Sequence, residues 1–132
     1  MNLNHLFDHS LAARRDQVAL EFEDRTFTFG EMDTRANRLA HLLTARGLRT
    51  GDRLCVYLAN CVEIIDLYLA CVKLGVIFVP INILYRDRER AHILHDAEPT
   101  ALVSAEVFEC PVPLWDPAQL TEEAAAMPSH RC

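Results

Sequence analysis

The sequence predicts an α/β fold, a partial doubly wound parallel sheet with flanking helices. Two uninterrupted apolar runs, Leu54-Cys-Val-Tyr-Leu58 and Val76-Ile-Phe-Val79, have strand length and no polar alternation, the pattern of strands buried on both faces. Between them lies a segment of helical length, residues 61–74, opened by Asn60 and Glu63 and closed by Gly75. Strand, helix, strand in this order implies a parallel pair joined by a right-handed crossover.

Taken from the N-terminus, residues 2–15 read as a helix, and Val18-Ala-Leu-Glu-Phe22 and Thr26-Phe27 flank Glu23-Asp24-Arg25 as a hairpin. Thr28 precedes Glu31 at the spacing of a capping box, so a helix starts there. Met32, Ala36, Leu39 and Leu43 form its apolar stripe opposite Arg35, Arg38 and Arg46, and Gly47 supplies the stop. Gly51-Asp52 makes the turn into the first buried strand, Asn60 caps the next helix, and Pro80 closes the second buried strand. A third helix is expected over residues 87–97, with Ala91, Ile93, Leu94 and Ala97 as its apolar positions, followed by the strand Thr100-Ala-Leu-Val103. Beyond Ser104 the pattern weakens: Pro111, Pro113, Pro117 and Pro128 interrupt it, although residues 120–127 have room for a short helix. The chain therefore divides into an α/β unit over residues 1–104 and an irregular tail over residues 105–132.

A net charge of -6 and a pI near 5.4 argue against a nucleic-acid footprint, which needs clustered Lys and Arg. His5, Asp8 and His9 interrupt the N-terminus where a secretory signal would be apolar, and Glu63, Asp66 and Lys73 interrupt the longest apolar stretch, which excludes a membrane span. Cys55, Cys61, Cys71, Cys110 and Cys132 are odd in number and form no C-x-x-C, as expected of reduced thiols in a cytoplasmic protein, where they serve as small core residues.

An α/β fold invites a nucleotide, so the phosphate-binding loops decide the next step. With Gly30, Gly47, Gly51 and Gly75 as its only glycines, the chain holds neither G-x-G-x-x-G nor G-x-x-x-x-G-K-[ST], and its one lysine, Lys73, lies on an apolar helix. His5 and His9 share a helix face without the Glu of H-E-x-x-H, and His92 and His95 read as a solvated helix face. Ser10, Ser104 and Ser129 lack the G-x-S-x-G setting of a nucleophile elbow. Arg86, Arg88 and Arg90 alternate with Asp87 and Glu89, the pattern of a mutually screened, solvated face, with an arginine touching a ligand phosphate as the alternative. No residue is assigned a catalytic, cofactor-binding or metal-binding role.

Several ordered stretches resemble the acyl-CoA synthetases and related adenylate-forming ligases. Thr28-Phe29-Gly30-Glu31-Met32 resembles the family's T-Y-x-E-L, and Gly47-Leu-Arg-Thr-Gly51-Asp52-Arg53-Leu54 its G-[LV]-x-x-G-D-x-[VL]. Asn60-Cys-Val-Glu63 is similar to N-x-x-E, and Lys73-Leu-Gly75-Val-Ile-Phe-Val79-Pro80-Ile81-Asn82 to K-A-G-x-x-Y-V-P-[LI]-[ND], continued by Tyr85-Arg86. Ile83 departs from the pattern, where a proline commonly follows. Asp96-Ala-Glu-Pro-Thr-Ala-Leu-Val103 looks like the family's next helix end and strand.

The resemblance covers residues 6–104 and implies the N-terminal subdomain of an AMP-dependent ligase. Such an enzyme activates a fatty acid or other carboxylic acid with ATP and magnesium as an acyl-adenylate and passes it to coenzyme A. The family's phosphate loop, ribose-binding aspartate and C-terminal lysine fall beyond the matched residues, so the expectation is a truncated ligase that is inactive alone. The second reading is a non-catalytic interaction module derived from the same fold. Helix 61–74 is apolar on nearly all sides, which leads to a further expectation of exposed apolar surface, an unpaired sheet edge and self-association.

Overall fold

The computed structural model describes residues 14–130. The expected helix over residues 2–15 falls almost wholly outside them, as do His5, His9, Ser10 and Cys132. A hairpin of β1 (Val18–Phe22) and β2 (Arg25–Thr28) leads into α1 (Phe29–Ala45). Then follow β3 (Arg53–Tyr57), α2 (Val62–Leu74), β4 (Ile77–Pro80), α3 (Asp87–Ala97), β5 (Ala101–Ser104), β6 (Leu114–Trp115) and α4 (Pro117–Ala124). The main sheet has the order β4-β3-β5-β6 and is parallel throughout, as the alternation of strands and helices predicts.

The local signals that shape α1 act as read. The Thr28 hydroxyl accepts from the Glu31 amide at 3.1 Å and the Glu31 carboxylate accepts from the Thr28 amide at 2.9 Å, closing the capping box. At the other end Gly47, at φ +98°, lets the Leu48 amide reach the Leu43 carbonyl at 3.1 Å. Gly75, at φ +72°, ends α2 the same way, with Val76 donating to Cys71 at 3.0 Å. The start of α2 differs from expectation. Cys61 is its cap residue and makes no side-chain capping bond, because Asn60 stands one residue too early to reach the first-turn amides.

Residue alternation along the central strands splits the core. Leu54, Val56, Ala101 and Val103 face Leu39 and Leu43 of α1, Leu67, Ala70 and Cys71 of α2, and Leu120 and Ala124 of α4. Cys55, Tyr57 and Leu102 face the other way, toward Leu94 of α3 and the partly buried Phe108 and Val112. Behind the helices, Phe27, Met32 and Val62 join the hairpin to α1 and α2, with Ile65 and Leu69 packed against them.

This third cluster corrects the expectation that α2 must expose apolar surface. Its girdle is covered by the sheet on one side and by α1 and the hairpin on the other, and only Tyr68, 50% accessible, stands out. A bidentate ion pair crosses the α1–α2 seam, with the Arg35 guanidinium 2.6 to 3.1 Å from the Asp66 carboxylate. The same seam holds Asp33, which takes Lys73 at 2.7 Å and Arg15 at 3.4 Å.

The second buried strand also differs. β4 lies at the edge of the sheet, and Ile77 is 49% accessible. Ile77 and Ile81 donate inward to the Asp52 and Val56 carbonyls at 2.7 and 2.8 Å, so the alternation of a parallel ladder turns the backbone groups of Phe78 and Pro80 outward. Pro80 has no amide to offer, which leaves β4 a blunted edge.

Residues beyond Ser104 are more ordered than their prolines suggested. β6 pairs with β5, and α4 begins at Pro117, where a missing amide costs nothing, behind Asp116, whose side chain accepts from the Gln119 amide at 2.9 Å. Arg46 fastens α4 to α1 through Glu123 at 2.6 Å and lies over the Trp115 ring. Among the described residues no helix is long and apolar enough to cross a membrane.

Candidate functional site at the carboxyl end of the sheet

Parallel α/β sheets present their loops for ligands at the carboxyl ends of the strands. Here residues 58–61 and 81–86 gather at that rim, and residues 105–113 start from it and run back along the α3 side of the sheet to β6. A cleft of about 430 Å³ opens at the rim between Leu58, Asn60, Ile64, Phe78, Ile81 and Asn82. The Asn82 side chain accepts from the Leu84 amide at 2.9 Å and turns the chain, which exposes Ile83, Leu84 and Tyr85 on the rim. Beneath them the buried Tyr57 hydroxyl donates to the Tyr85 carbonyl at 2.6 Å, with the Ile83 carbonyl 3.0 Å away.

Arg90 is where the structure departs furthest from the sequence reading. Arg86 and Arg88 are exposed, as a solvated face requires, but Arg90 is 5% accessible. Its guanidinium sits 3.8 Å from the Phe108 ring centroid and 5.0 Å from that of Tyr57, with Asp87 and Glu106 as carboxylate partners. A signal for this existed: Arg90, Leu94 and Ala97 follow at spacings of four and three, one helix face, so the position points at the sheet. Ala91, expected on that face, is exposed. A second cavity, about 450 Å³, lies between α3 and residues 108–111.

The other residues singled out by the sequence take structural parts. Ser104 is 1% accessible, and its hydroxyl donates to the Glu106 carbonyl at 2.8 Å and accepts from the Glu106 amide at 3.1 Å, a local turn. The Ser129 carbonyl accepts from Asn37 at 3.0 Å. His92 pairs with Asp96 at 3.2 Å on the solvated face of α3, where His95 is exposed too. Among the described residues no three His, Cys, Asp or Glu converge as a metal site. Burial pushes the Cys55 thiol up to about 11 and the Cys71 thiol up to about 12, which leaves them inert core residues.

Among the described residues, the lysine and the four glycines form no shared phosphate cradle. Lys73 is ion-paired with Asp33 inside the α1–α2 seam, its side chain 5% accessible. Gly30 lies in the first turn of α1 under the Arg15 carbonyl, and Gly47, Gly51 and Gly75 occupy separate turns, so their amides line no common cradle. A third cleft, about 470 Å³, lies between Arg15, Thr28, Glu31, Arg35 and Arg38, where Arg15 and Arg35 pair with Asp33 and Asp66.

Parts of several known proteins resemble this chain. The 3-oxocholest-4-en-26-oate–CoA ligase of Rhodococcus rhodochrous is 30% identical over 103 residues, 78% of this chain, but only 19% of the relative is covered. The chain thus spans about a fifth of the length of the curated relatives of this kind that it matches. An artificially fused adenylation–PCP di-domain, NpsA-ThdA from Klebsiella oxytoca, superposes with a TM-score of 0.91 at 24% identity, over 98% of this chain and 25% of that one. At that identity it speaks to the fold alone. O-succinylbenzoate coenzyme A synthetase from Bacillus subtilis, solved in complex with AMP, superposes with a TM-score of 0.84 at 29% identity, over 94% of this chain and 33% of that one. Residues 7–130 match the AMP-binding enzyme family, and the chain belongs to it, with the α/β architecture of the N-terminal subdomain of adenylate-forming ligases.

Proposed function

We propose that this chain is the N-terminal scaffold of an ATP-dependent carboxylate–CoA ligase and that the 132 residues by themselves catalyse no reaction. In the complete reaction a carboxylate, from a fatty acid or another acid, attacks the α-phosphorus of magnesium-bound ATP and releases pyrophosphate. The thiol of coenzyme A then displaces AMP to give the thioester. One observation carries the reading of inactivity: the chain's single lysine and its four glycines are committed to a buried ion pair, a helix turn and separate turns, so no amide cradle with a nearby cation forms. Coenzyme A, rather than a carrier protein, as acceptor is supported by the CoA ligases among the relatives and by the family-like stretch from Asn82 to Arg86. A cytoplasmic setting accords with the free thiols of Cys55, Cys61, Cys71 and Cys110.

Two measurements test the two halves of the proposal. Purified chain, ATP, magnesium and a panel of fatty, aryl and short-chain acids are expected to give no exchange of labelled pyrophosphate into ATP; exchange above the blank overturns the inactivity. Residues 14–130 grafted into the Bacillus subtilis synthetase in place of its matching part are expected to support adenylate formation. A chimera that folds by circular dichroism yet forms no adenylate overturns the scaffold role. We also propose that the isolated chain self-associates through Ile77, Ile83, Leu84 and Tyr85, whose side chains are exposed beside an edge that offers little backbone pairing. Sedimentation velocity checks this, and a single monomeric boundary at high concentration would remove it.

A further inference from the structure

Residues 105–113 leave the carboxyl end of β5 and run back along the α3 side of the sheet to the start of the parallel β6, without helix or strand. They are tied down at both ends, by the Ser104 turn and by the Leu102 amide, which donates to the Pro113 carbonyl at 2.9 Å. In the middle the holding contacts converge on Arg90. Phe108 covers the guanidinium at 3.8 Å and meets the Tyr57 ring edge to face at 6.1 Å, and Glu106 approaches Arg90 at 3.5 Å.

Arg90 is buried, yet its Nε and Nη1 atoms make no hydrogen bond. The carboxylates that pair with it are largely solvated, Asp87 at 96% and Glu106 at 51% side-chain accessibility. Closure gains the stacking of a cation on two rings and loses the hydration of two donors, so opening returns those donors to water. Phe108, Glu109 and Pro111 also form one wall of the 450 Å³ cavity, and Arg90, Ala91 and Leu94 form the other.

We propose that residues 105–113 are a strap that opens and closes over the cavity beside α3, with Arg90 as its latch. The inference does not depend on the ligase reading, since it concerns the motion of one segment against one helix.

Cys110 lies on the strap, half-buried, with its thiol donating to the Val112 carbonyl at 3.1 Å, and serves as the reporter. The full chain is alkylated with iodoacetamide and the rate at each cysteine read by peptide mass spectrometry. Arg90→Met keeps the aliphatic stem and removes the cation, and it is expected to raise the Cys110 rate roughly tenfold, the loss of about one desolvated cation–π contact. Arg90→Lys, which keeps the charge but not the flat stacking, is expected to fall between. Cys55 and Cys71, each 0% accessible, should stay unlabelled throughout and so report that the core is intact. A wild-type Cys110 rate in Arg90→Met with Cys55 and Cys71 protected overturns the latch. If that variant exposes Cys55 and Cys71 as well, Phe108→Leu decides, because it keeps an apolar side chain on the strap and removes the ring face. Faster Cys110 labelling in it supports the strap, and an unchanged rate overturns it.

Discussion

On the side of the sheet covered by α1, α2 and α4, Leu54, Val56, Ala101 and Val103 meet a continuous apolar layer, and charges are confined to the seams between helices. On the opposite side Cys55, Tyr57 and Leu102 meet one helix and an irregular segment, and a guanidinium sits within the packing itself. The first face holds the fold together. The second is thinner and borders the 450 Å³ cavity, which suits a surface that rearranges or receives further contacts. Truncation at matched depth puts this contrast to the sharpest test. Leu43→Ala, at 0% accessibility between helix and sheet, is expected to cost about 4 kcal/mol of unfolding free energy, and Leu94→Ala, at 4% beside an existing cavity, about 2 kcal/mol. Equal losses in urea denaturation would break the comparison.

The charges differ as the faces do. Asp66 lies in the α1–α2 seam, where burial raises its carboxyl above the usual range and Arg35 only partly offsets the effect. Arg35→Met leaves that carboxylate buried without its partner and is expected to cost about 3 kcal/mol at neutral pH. The sign of its pH dependence follows from linkage. Because the buried carboxyl binds its proton more tightly than the unfolded chain does, its contribution is greatest below the ordinary aspartate range and is lost as pH rises through the raised value. Loss of Arg35 strengthens that preference, so the gap between variant and wild type should narrow as pH falls from 7 toward about 4. A gap independent of pH would place the damage in the lost contact of the Arg35 guanidinium over the Phe27 ring instead.

How much of this was legible in the sequence depends on the range of the interaction. Thr28 with Glu31, the stripe Met32, Ala36, Leu39 and Leu43, the apolar run at β3 and the bounds of α3 are local signals, and each forms as read. The parallel sheet followed from their order. What escaped was set by partners distant in sequence. The cover over α2 comes from the hairpin and α1, and β4 is an edge because nothing among the described residues pairs with it on the far side. β6 is two residues long, too short for any periodic signal. At the rim the charge alternation around Arg90 outweighed its place on the Leu94 face, although the face was visible in the spacing. The family was legible because its motifs here are caps, turns and strand ends, which are local; the chemistry was not, because the residues that match are those that shape the scaffold.

The smallest effect separates two capping signals that looked alike. Thr28 and Asn60 both precede a helix with a glutamate three residues on, yet only Thr28 satisfies first-turn amides, while Cys61 occupies the cap position of α2 without a side-chain bond. Thr28→Ala is therefore expected to cost about 1 kcal/mol, the usual worth of a cap, and Asn60→Ala to stay within about 0.5 kcal/mol of wild type. Thermal melts of the two variants side by side measure this. A loss at Asn60 comparable to that at Thr28 would show that the Asn60 carboxamide does work the rim geometry does not assign to it, most directly in the cleft it shares with Asn82.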